Sequence, residues 1–193
     1  IAPMETYISE WLSLVLRWSH LIVGIAWIGS SFYFVWLDAN LNRPPKDPEN
    51  ERVAGDLWSV HGGGFYHAQK YRLAPERLPE PLHWFMWEAY ATWLTGFALL
   101  IVTFYLRADA YLVDPSVADI SGMTAVALSL GLLVAGWLIY DLICRLPLKD
   151  SGMAVLGVVL LTALSYALTQ VFSSRGAYVQ IGAMLGTIMA ANV

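Results

Sequence analysis

The sequence predicts an all-α protein, a polytopic bundle of membrane-crossing helices, on three observations. Of its 193 residues, 58% are hydrophobic and 13% charged, with a mean hydropathy of +0.54, whereas globular domains are roughly half apolar and a quarter charged. Apolar stretches long enough to cross a hydrocarbon core about 30 Å thick, which takes roughly 20 helical residues, recur along the chain. Nine Trp, ten Tyr and seven Phe suit the headgroup level, where amphipathic rings anchor spans. The same composition excludes a disordered tail, and a net charge of -4 offers no basic surface for nucleic acid. The single Cys144 excludes an internal disulfide and a two-thiol haem attachment site.

Four complete spans are expected, at about 11–37, 82–106, 123–144 and 153–172. The first is too long for a cleaved signal peptide and carries Arg17 and His20. A fifth, 177–193, has no polar flank after it, which reads as a truncated span in a fragment of a longer protein. Within it, Gly182 and Gly186 form a G-x-x-x-G, a generic helix-packing signal. Residues 38–81 form the one sizeable extramembrane segment, expected to lie on the membrane surface as an interfacial loop. It opens with a Pro-rich turn from Arg43 to Pro48 and closes with another from Ala74 to Pro81. Between them His61-Gly62-Gly63-Gly64 superficially matches an esterase oxyanion motif, but the chain has no G-x-S-x-G elbow. The glycines therefore read as a tight backbone approach or a hinge in an interfacial helix.

Lysine and arginine counts orient the bundle. Arg43, Lys46, Arg52, Lys70, Arg72, Arg77, Arg145 and Lys149 fall on one side of the spans, and Arg107 and Arg175 on the other. The positive-inside rule puts the N-terminus outside and the 38–81 loop in the cytoplasm, in a multi-pass membrane protein.

Polar residues inside spans are costly and so mark candidate sites. Arg17 and His20 share a face of span one with Gly24. That arrangement suits haem b: His20 would ligate iron, Gly24 would let the flat ring approach, and Arg17 would pair with a propionate. The plain alternative is an Arg17 that snorkels outward and a His20 bonded to a neighbouring helix. At the inner ends of the spans stand Asp38, His83, Glu88, Asp141 and Arg145. With span two starting at Leu82, Glu88 would lie more than a turn into the bilayer, protonated, paired or facing a polar cavity. Asp141 and Arg145 have the spacing of a surface ion pair. His61 and His67, six apart, lack a helical metal-ligand spacing.

Three blocks carry a resemblance: Trp18 to Phe34, Val60 to His67, and Leu82 to Phe97. In that order they resemble the N-terminal membrane part of the bacterial membrane-bound urate oxidase (urate hydroxylase) family. The resemblance implies an eight-span membrane domain joined to a C-terminal cytochrome c domain, carrying haem c, that is absent here. It also implies oxidation of urate by water in purine catabolism, with electrons passed to a c-type cytochrome. Urate is planar and anionic, so its site wants a cation, hydrogen-bond partners and an aromatic face. His67, Lys70, Trp84 and Trp87 supply these types as substrate contacts, and Glu88 or His83 supplies the base. The rival reading is a non-catalytic membrane subunit, an anchor in a larger cytochrome-containing electron-transfer or photosynthetic complex. A third is a haem b carrier that reacts with quinone.

Overall fold

A computed structural model of the chain describes residues 4–42 and 52–193. The Pro-rich turn from Arg43 to Pro48 lies outside them. In chain order the elements are α1 (Met4–Asn40), β1 (Val53–His61), β2 (Gly64–Tyr71), α2 (Met86–Thr103), a 3₁₀ turn (Tyr105–Arg107), α3 (Ala108–Tyr111), α4 (Gly122–Cys144), α5 (Asp150–Thr169) and α6 (Ser174–Ala191). The fold is mostly helical, as the composition predicts. Four segments are long and apolar enough to cross a membrane: Thr6–Asn40, Met86–Tyr111, Gly122–Cys144 and Asp150–Thr169. The chain is thus a multi-pass membrane protein.

Two compact units divide the chain, one comprising 1–24 and 86–193, the other 25–85. In the first, α6 packs against α2, α4 and α5. This is the fifth stretch foreseen from the sequence. It is an 18-residue helix, outside the four that are long and apolar enough to span. Its centre is polar: Gln180 and Ser129 of α4 are 1% and 0% exposed. Tyr105 donates to Ser129 Oγ at 2.7 Å, Ser129 donates to Gln180 Oε1, and Gln180 Nε2 donates to the Ser129 carbonyl at 3.0 Å. Every member is satisfied, as a buried polar network must be. Around it Leu100, Leu112, Leu133, Leu168, Phe172 and Met184 form the apolar core. Trp93 of α2 adds a bond to Thr187 Oγ1 of α6 at 2.9 Å.

Helix starts are set by capping serines. Ser121 accepts from the Thr124 amide at the head of α4, and Ser173 accepts from Gly176 at the head of α6. In the 112–121 loop the Ser116 hydroxyl and amide both bond Asp114 Oδ1. They hold its carboxyl below its ordinary range. Gln180→Leu keeps the volume but leaves the Ser129 hydroxyl without its acceptor. The expected loss is about 1–2 kcal/mol, seen in purified protein as a fall in Tm of about 3–5 °C.

Within the second unit, the stretch expected as an interfacial loop contains a hairpin. Val53 to Tyr71 is an antiparallel β-hairpin in which Trp58 faces His67, Val60 faces Phe65 and His61 faces Gly64. Gly62 and Gly63 have φ of +58° and +80°, the left-handed pair that a two-residue hairpin turn requires. That, rather than a helix hinge, is what the glycines are for. An added bridge joins Asn42 to Asp56, with main-chain bonds of 2.9 and 3.0 Å.

Candidate functional site

His20 is the best-defined of the predicted site residues. Its Nδ1 lies 3.1 Å from the Thr92 carbonyl and 3.2 Å from Thr95 Oγ1. A carbonyl only accepts, so Nδ1 carries the proton and donates, and Nε2 is left with its lone pair. Thr95 is free to accept because its own hydroxyl donates to the Ala91 carbonyl at 2.8 Å. The imidazole sits in a notch made by Gly96. A Cβ there would stand 2.8 Å from His20 Cε1. Gly24, one turn along α1, has Thr92 Cγ2 at 4.0 Å from where its Cβ would be, so the approach it allows within this chain is that of α2.

This arrangement fits an axial haem ligand in its proton state. A metal-bound histidine characteristically donates its other ring N–H to a carbonyl, which fixes the tautomer and orients the ring. Among the described residues no group of three or more His, Cys, Asp or Glu could hold a metal ion.

Glu88 is placed differently from expectation. α2 begins at Met86, four residues later than Leu82. Glu88 is therefore in the first turn of the span and not deeper. There the positive end of the helix dipole favours a carboxylate. Its Oε2 is shielded from solvent, and its carbonyl accepts from Thr92 Oγ1 at 2.7 Å. Trp87 beside it is 63% exposed and meets Tyr90 edge to face at 6.0 Å.

His67, Lys70, His83 and Trp84 belong to the hairpin unit, while Trp87 and Glu88 belong to the helical one. Within the hairpin unit, His67 Nε2 is 2.6 Å from Asp56 Oδ2, and its ring stacks on Trp58 at 4.4 Å and 11°. Lys70 Nζ is 2.6 Å from Asp38 Oδ2. An anion reaching either group competes with a carboxylate already in place. The competition is mild, because exposed pairs are worth about 0–1 kcal/mol. His83 meets Phe85 edge to face at 4.6 Å, and Trp84 is exposed. Asp141 and Arg145 form the i, i+4 pair their spacing implies, at 2.6 Å.

The sequence reading missed two features. One is the Thr92, Thr95, Gly96 face that receives His20, whose signal was a small-residue stripe at helical spacing in span two. The other is a half-open cavity of about 510 Å³ in the helical unit, lined by Glu10, Arg17, Thr103, Arg107 and Arg175 among others. Arg17 faces this cavity with two further arginines that had served only as topology markers. At neither glycine of the G-x-x-x-G does the described chain approach closely: a Cβ on Gly182 or Gly186 would meet nothing within 4 Å.

No curated relative and no solved structure matches the chain. The family described as urate oxidase N-terminal matches it over residues 6–193. That match takes in all three blocks on which the resemblance rests, and it runs the length of the helical bundle: the chain belongs to the urate oxidase N-terminal family.

Proposed function

We propose that this chain is the membrane part of an enzyme that oxidises urate with water and passes the electrons to a c-type cytochrome. The observation that carries the reading is membership of the urate oxidase N-terminal family over residues 6–193. In the balanced reaction urate and water give a hydroxylated purine, two protons and two electrons. A base must take a proton from urate or water as the new C–O bond forms. We assign that role to Glu88, with His83 as the second candidate. Its first-turn position at the end of a span suits a group that meets a water-soluble substrate at the membrane boundary. In the hairpin unit the planar anion would be held by Trp84 as an aromatic face, by Lys70 as a cation and by His67 as a hydrogen-bond partner, with Asp38 and Asp56 as their partners in its absence; Trp87 of the helical unit is a separate aromatic candidate.

Haem b, if held by His20, would supply one-electron transfer between the two-electron oxidation and a one-electron cytochrome. His20's part is to present Nε2, with Thr92 and Gly96 fixing the ring. Haem c would sit on the partner cytochrome domain. In the direct test, membranes carrying the intact protein consume urate in proportion to added ferricytochrome c, and matched membranes without it do not. Equal rates in the two would refute the assignment.

The orientation belongs to the same reading: a bacterial inner-membrane protein with the N-terminus outside and the hairpin loop in the cytoplasm, so that a cytoplasmic purine is oxidised and electrons leave outward. Eight Lys and Arg against two support it. In a Cys144→Ser background, Ser116→Cys should react with a membrane-impermeant thiol reagent in intact cells, and Gln69→Cys should be protected. Both positions are exposed on the protein itself, so the reverse pattern would invert the topology.

A further inference from the structure

We infer that the arginine cavity of the helical unit is a binding site for an oxyanion of the phosphate type, presented by an anionic phospholipid headgroup or by free phosphate. Arg17 of α1, Arg107 of the 3₁₀ turn and Arg175 of α6 converge on one cavity from three elements far apart in sequence, with Glu10 as the one carboxylate among its lining residues. The lining thus carries a formal surplus of two positive charges. None of the three guanidinium groups is ion-paired with a carboxylate among the described residues. Like charges gathered in this way repel, and Arg175 in addition stands in the first turn of α6, where the helix dipole disfavours a cation. A bound phosphate-type anion relieves both.

Two further observations point to a ligand. Thr103 lines the cavity, and its Oγ1, shielded from solvent, has no hydrogen-bond partner among the described residues, although a shielded hydroxyl is ordinarily satisfied. Arg107 Nη2 donates to Ser9 Oγ at 3.1 Å, which holds the planar fork in place with its other donors available. Leu14, Val102 and Phe104 form an apolar part of the same wall, which accommodates the glycerol and upper acyl region of a lipid whose phosphate meets the arginines. The site goes beyond the urate reaction and does not depend on it.

The intact protein in phosphatidylcholine nanodiscs tests this. Two additions are compared at constant ionic strength: inorganic phosphate in the buffer, and phosphatidylglycerol in the bilayer. One of them should raise the Tm by about 5 °C, the shift expected of a ligand well above its Kd. A response to phosphatidylglycerol alone identifies the headgroup as the source, and a response to phosphate identifies the free ion. Arg107→Gln with Arg175→Gln should abolish most of that shift, and the Lys pair at the same positions should keep part of it. Should the Gln pair fail to fold, native mass spectrometry of the parent decides: retained phosphate or phosphatidylglycerol supports the site, and neither retained overturns it. The inference also fails if neither addition shifts the parent, if the Gln pair responds as the parent does, or if the Gln pair leaves the shift intact and alters haem b absorption, which would make the cavity a propionate site.

Discussion

Glu88→Gln is expected to lower urate-dependent cytochrome reduction by the intact protein about a hundredfold, the scale of losing a general acid or base. The substitution keeps the shape of the side chain and its place in the first turn of α2, and removes the carboxylate proposed to take the proton. Loss of the favourable charge at the helix start costs only about 0.3–1 kcal/mol, so expression and haem content should stay near those of the parent. The two effects separate cleanly: a base lowers the turnover rate, while a helix-start carboxylate alone moves only the Tm. Turnover at the parent rate would remove Glu88 from the chemistry and leave His83 as the base to test.

His20→Ala is expected to remove or shift the Soret and alpha bands of haem b in the purified protein. The geometry supplies a second variant that leaves the imidazole in the chain. At Gly96 a Cβ would stand 2.8 Å from His20 Cε1, so Gly96→Val must push the ring from its notch and disturb the same bands. Loss of the Thr92 bond itself should cost about 1 kcal/mol of stability. If the intact protein contains no haem b, or if both variants leave the spectrum unchanged, His20 serves to join α1 to α2 through Thr92 and Thr95 and the ligand assignment falls.

What the sequence made legible follows from the length scale of each signal. Spans are windows of about 20 residues with a strong common property, and the segments 123–144 and Gly122–Cys144 agree to within a residue at the start. Boundaries were less legible: α2 starts at Met86 where a hydropathy window starts at Leu82, and that moved Glu88 from the interior of a span to its first turn. The hairpin was hidden for another reason. Trp58, Val60 and Phe65 share one face, but Leu57 and Tyr66 put apolar residues on the other, so the period-two alternation that reveals a half-buried strand is weak, and Gly62-Gly63 read as a tight backbone approach or a helix hinge. Contacts between helices were the least legible. Nothing at Arg107 or Arg175 announces a shared cavity, and Ser129 and Gln180 read as ordinary polar residues 51 positions apart. Only the packing of α4 on α6 brings them together.

The most direct test of the account is the electron stoichiometry of urate oxidation by membranes bearing the intact protein, measured without oxygen. The account predicts two ferricytochrome c reduced for each urate consumed, and a product whose new oxygen comes from labelled water. A requirement for molecular oxygen, or no consumption of urate at all, would contradict it.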